Sequence, residues 1–85
     1  MTENDQVLID FIRNELIRDA AAQIDVDTPL VSSGLIDSLA LVDVLSKLED
    51  ITNTRIPAGK VQAKDLDTVR VMFATAARVG RPRKH

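Results

Sequence analysis

Three stretches of this chain place apolar side chains at helical spacing, which leaves little but a bundle of helices as a fold. Leu8, Ile12 and Leu16 recur at i, i+4 and i+8, with Phe11 beside them. Leu41, Val44, Leu45 and Leu48 fall within one narrow arc when each residue advances about 100°. Val69, Met72, Phe73, Ala76 and Val79 make the third stripe, and Ala74, Ala76 and Ala77 permit a neighbouring helix to come close. Each stripe needs burial against the others, so the expected fold is all-α. With only Phe11 and Phe73 as aromatics, the core must be aliphatic. Leu45 and Leu48 are both expected inside it. Eighty-five residues make one domain with a modest core.

Punctuation sets the order of elements. Thr2 or Asn4 is placed to cap a first helix running to about Arg18, with Glu3 and Asp5 near its start suiting the helix dipole. Residues 20–37 lack periodicity and contain Pro29 and Ser32-Ser33-Gly34, so they read as a long connection pinned by Ile24, Val26, Leu30 and Ile36. A second helix is expected from about Ser38 to Ile51. Asn53 and Pro57 break the chain after it, and residues 58–66 are expected to include a short helical turn using Val61 and Leu66. Asp67 or Thr68 caps the last helix, and Gly80 ends it. Residues 1–80 then form the domain, and residues 81–85 a flexible basic tail.

The segment Gly34-Leu35-Ile36-Asp37-Ser38-Leu39 carries the chemistry. It presents a serine at a helix start, where backbone N–H groups and the helix dipole favour a phosphate. Nothing is placed to make that serine a nucleophile: the single histidine is the terminal His85, and there is no cysteine. A serine presented but not activated reads as an acceptor for a group that another enzyme attaches. The same inventory leaves no triad and no zinc site, so the chain reads as a non-enzyme. Asp25 and Asp27 lack the further ligands of a Ca²⁺ loop and read as solvated carboxylates.

The Asp37-Ser38-Leu39 core at the start of an amphipathic helix resembles the attachment site of acyl carrier proteins and peptidyl carrier domains. The order of elements extends the resemblance along nearly the whole chain, through Ile56-Pro57 to Asp67-Thr68-Val69. The resemblance implies a four-helix bundle of three main helices and one short one, with a long first loop. It implies that a phosphopantetheinyl transferase moves 4'-phosphopantetheine from coenzyme A onto Ser38, with Asp37 and Leu39 as the matching flanking residues. The thiol of that arm would then hold an acyl or aminoacyl group as a thioester. Two residues, Leu35 and Ile36, separate Gly34 from Asp37, a spacing similar to that of D-alanyl and other stand-alone aminoacyl carriers rather than fatty-acid carriers. Ala40 also replaces an acid common in the latter. The implied partners are an adenylating acyl or amino-acid ligase and a downstream transferase or synthase, with the carrier a monomer.

Leu39 falls on the face of the second helix opposite the core stripe, with Val42 on its shoulder and Asp43 nearby. These three residues are expected to meet partner enzymes. An alternative from another class is an unmodified interaction domain that binds a partner through the same face. Charge is uneven: residues 1–54 hold eleven acidic and three basic groups, residues 55–85 two acidic and eight basic. Either the acidic part is steered to basic partners, or the two parts attract each other on folding. A pI near 5.2 and the scarcity of aromatics argue against nucleic-acid binding by the tail. The apolar run Val7–Ile12 is interrupted by Asp10 and far too short to span a bilayer, so a cytoplasmic protein is expected.

Overall fold

Thr2 opens the first helix with a reciprocal cap: its hydroxyl accepts the Asp5 N–H at 3.1 Å, and the Asp5 carboxylate accepts the Thr2 N–H at 3.0 Å. In the computed structural model, which describes residues 2–83, α1 spans Glu3–Phe11 and continues as a wider π-helical stretch over Ile12–Ile17. Arg18 ends it in the left-handed region at φ 60°. Leu8, Ile9 and Ile12 are fully buried, while Leu16 and Phe11 pack at the margin. Ile9 lies outside the stripe read from the sequence.

Two further main helices complete the bundle: α2 at Ala40–Thr52 and α3 at Val69–Val79. Both α1 and α3 pack on α2. α2 buries Val44 and Leu48, and Asn53 ends it at φ 54°. Leu45 corrects the expectation of a core residue: it is half-buried and packs against the core from outside. The hydroxyl of Thr68 caps α3 by accepting the Val71 N–H at 3.1 Å. α3 buries Val69, Met72, Thr75 and Ala76, whereas Phe73 and Val79 sit at the margin. Between α2 and α3 the single expected turn is two 3₁₀ turns, Ala58–Lys60 and Ala63–Leu66, with Leu66 buried and Val61 half-buried.

The long first loop is fixed from both sides. Ile24, Leu30 and Ile36 are buried beneath it. Above it, Asp67 takes hydrogen bonds from Leu30, Val31 and Ser32, and the Arg70 N–H donates to the Val26 carbonyl at 2.9 Å. Asp27 is not simply solvated as expected, since both its carboxylate oxygens accept from Arg70, at 2.7 and 3.1 Å.

A short antiparallel ribbon, unmarked by strand patterning in the sequence, joins β1 (Thr54–Arg55) to β2 (Arg81–Pro82). Gly80 permits it, because a Cβ there would overlap the Ala76 carbonyl and crowd Thr54. Arg83 adds a bond to the Thr54 carbonyl at 3.1 Å and an ion pair with Asp50 at 3.0 Å. Residues 81–83 are therefore held to the bundle, which corrects the reading of a free tail for that part; Lys84 and His85 lie outside the described residues. Among the described residues no helix is long and apolar enough to cross a membrane.

Candidate functional site

Ile36 anchors the segment that carries the site. Its side chain is buried and its N–H donates to the Leu30 carbonyl at 3.0 Å, closing the loop on itself. Gly34 makes that closure possible by adopting φ 81°, a conformation other side chains resist. From Ile36 the chain steps outward, so Asp37, Ser38 and Leu39 are all exposed.

Asp37 decides where α2 begins. Its Oδ1 accepts the Ala40 N–H at 2.9 Å, satisfying a donor that the helix itself leaves unpaired. The Ala40 N–H also reaches the Asp37 carbonyl at 3.2 Å, and the Leu41 N–H reaches the Ser38 carbonyl at 3.3 Å. The helix therefore starts at Ala40, two residues later than expected, and Asp37-Ser38-Leu39 form the turn that leads into it. Among the described residues no group hydrogen-bonds the Ser38 hydroxyl. It stands at the positive end of the α2 dipole, exposed and uncommitted.

Leu39 is 81% exposed and Val42 68% exposed, and Asp43 is exposed beside them. Of the three residues singled out as a partner face, Leu39 thus stands beside Ser38 on the turn, and Val42 and Asp43 follow on the exposed side of the first turn of α2. Leu35, in the loop before Asp37, is a further exposed apolar residue at 44%.

Sequence reasoning missed the far wall of this site. The π-helical end of the first helix brings Glu15, Leu16 and Arg18 opposite Asp37, Leu39, Ala40 and Asp43, forming an open groove of about 440 Å³. Among the described residues, Arg18 is the one cationic side chain lining it, set among three carboxylates. No local signal marks residues 15–18 as neighbours of residues 37–43, because only helix packing unites them.

Comparison with known proteins agrees with this architecture. The phosphopantetheine attachment site family matches residues 6–74, most of the chain. No curated protein and no solved structure shows significant similarity to it. The matched stretch runs from the first helix, through the loop and the Asp37-Ser38-Leu39 turn, into α3. The chain therefore belongs to the phosphopantetheine-binding family of acyl and peptidyl carrier proteins, non-catalytic domains that hold a covalent 4'-phosphopantetheine and are served by phosphopantetheinyl transferases and partner enzymes.

Proposed function

We propose that Ser38 bears the prosthetic arm, and that the cargo is a small acyl or aminoacyl group loaded by a separate adenylating ligase. The observation that carries the first part is the state of the Ser38 hydroxyl: exposed, without a hydrogen-bond partner among the described residues, and held on a turn fixed by Ile36 and Asp37. Its esterification breaks no internal bond. In the transfer, the Ser38 Oγ forms a bond to the pantetheine-side phosphorus as the bridging P–O bond of the coenzyme A diphosphate breaks; adenosine 3',5'-bisphosphate leaves, and the hydroxyl proton passes to a base on the transferase. When bound, the arm supplies a terminal thiol that holds the cargo as a thioester.

The surrounding residues suit a phosphodiester at this point. The dipole of α2 favours the negative charge, and Asp37 holds the helix start rigid. Arg18 lines the adjacent groove, where its guanidinium partly offsets the acids around it. Leu39 and Val42 offer apolar anchors to partner enzymes, and Asp43 a charged rim. The Gly34-to-Asp37 spacing and Ala40 support a small or aminoacyl cargo. A well-filled aliphatic core supports the same reading, because a long chain would have to open it. A monomeric, cytoplasmic carrier serving a ligase and a downstream transferase or synthase completes the proposal.

The test is intact mass after incubation with coenzyme A and a broad-specificity transferase. The wild-type chain should gain one phosphopantetheine, and Ser38→Ala, equally folded by circular dichroism, should gain none. A folded wild-type chain of unchanged mass would overturn the assignment.

A further inference from the structure

The β-ribbon gathers a second, chemically opposite site at the far end of α2. In its register Arg55 stands directly across from Arg81, so two guanidinium groups project from neighbouring backbone positions on one face. Directly opposed like charges destabilise a strand pair unless something between them neutralises the repulsion. Among the described residues neither Arg55 nor Arg81 has an ion-pair or hydrogen-bonding side-chain partner, unlike Arg13, Arg70, Arg78 and Arg83. Arg55, Arg81, Pro82 and Arg83 line one groove of about 440 Å³. Arg83 is fixed there by the Thr54 carbonyl and Asp50.

We propose that this arginine groove is a docking site for a short acidic segment of a partner protein, separate from the Ser38 end. α2 has 13 residues and so spans about 20 Å between the Ser38 turn and the ribbon. A partner held at the ribbon leaves the Ser38 face open. Guanidinium forks suit carboxylates bidentately, and two unpaired forks on one face match neighbouring acidic side chains. An extended polyanion fits less well: the chain carries net charge −2, its acids crowd residues 1–54, and among the described residues no aromatic side chain lines the groove to stack a base. A second copy docking its acidic Ser38 end here would cover the very face that a carrier must present.

The probe is a dye-labelled, capped hexaglutamate peptide, titrated at low salt into the isotopically labelled full chain. Saturable binding is expected, with amide shifts confined to residues 54–55 and 81–83. Affinity should fall at least tenfold in the Arg55→Gln, Arg81→Gln double variant. Because those two side chains repel each other, that variant should melt no lower than the parent, and it should accept phosphopantetheine at the parent rate. Loss of peptide binding with normal modification thus separates this site from the Ser38 assignment. No saturable binding, equal binding by the double variant, or shifts centred on Arg13, Arg18 or Lys47 would overturn the proposal. So would tighter binding of a single-stranded oligonucleotide of equal charge, or a dimer of the chain that the peptide dissociates.

Discussion

Ser32 and Asp67 are 35 positions apart in sequence, yet the Ser32 hydroxyl donates to Asp67 Oδ2 at 2.8 Å and its N–H donates to Oδ1 at 2.9 Å. The same Oδ1 accepts the N–H groups of Val31 at 2.8 Å and Leu30 at 3.2 Å. One carboxylate just before α3 therefore holds the middle of the loop that leads to Ser38. Removing it should loosen that loop. Asp67→Ala is expected to cost on the order of 2 kcal/mol, from the loss of charge-assisted bonds and the backbone donors left behind. Chemical denaturation measures this, and amide exchange at residues 30–32 should quicken most.

The same contacts give a pH dependence. The Ser32 N–H and hydroxyl, with help from Val31 and Leu30, hold the Asp67 carboxyl below its ordinary value of 3.8 despite partial burial, which acts the other way. A lowered folded value means that this stabilisation is fully present above the unfolded value. It is lost as the pH falls through the lower folded one. The melting difference between the wild type and Asp67→Ala should be constant at neutral pH and shrink in acid, below about the ordinary carboxyl value. A difference that persists unchanged in strong acid would contradict this role for the charge.

Core positions divide more sharply than helical spacing suggests. Leu48 is fully buried, and Leu48→Ala should cost on the order of 2–5 kcal/mol. Leu45 is only half-buried, so Leu45→Ala should cost about 1 kcal/mol. Equal losses in urea denaturation would place Leu45 in the core after all.

That division marks what was legible in the chain. The stripes Leu8/Ile12, Val44/Leu48 and Val69/Met72/Ala76 were readable because helical period alone places them on one face. The exposure of Leu39, Val42 and Asp43 followed from the same geometry. Ile9 fell outside the stripe and Leu45 was placed in the core, because the packing of the helices on one another decides which edge of a stripe is covered. The start of α2 was misplaced by two residues, since Asp37 and Ser38 are equally good caps on paper and only the Asp37–Ala40 bond chooses between them. Asp67 read as a candidate helix cap; its bonds to residues 30–32 are long-range, and no local pattern encodes them. The ribbon was illegible for the same reason, as two-residue strands carry no alternation.

Recognition by partner enzymes should depend on the outer side of α2. Leu39→Ala removes the most exposed apolar anchor and should lower the kcat/KM of arm attachment roughly 5–30-fold, the usual range for truncating an interface anchor. Asp43→Lys should act mainly through slower, salt-dependent encounter. Both side chains are exposed, so melting should hardly change. If both variants are modified at the parent rate, recognition lies in the loop around Leu35 instead.

Cargo size should be readable from the core. Leu8, Ile12, Leu30, Val44, Leu48 and Met72 are fully buried, and a long acyl chain sheltered among them would have to part the helices. Opening a closely packed interior is costly, whereas a small acyl or aminoacyl group rests outside at no such cost. The holo protein loaded with an amino acid should therefore show amide shifts confined to Ser38, its neighbours and the groove lined by Leu16 and Arg18. Loading with a long acyl chain should leave the same core residues undisturbed, and the cognate ligase should prefer the small substrate. Broad shifts at Val44, Leu48 and Met72 with the long chain, joined to preferential loading of it, would reverse the assignment, because the bundle would then be opening to enclose its cargo.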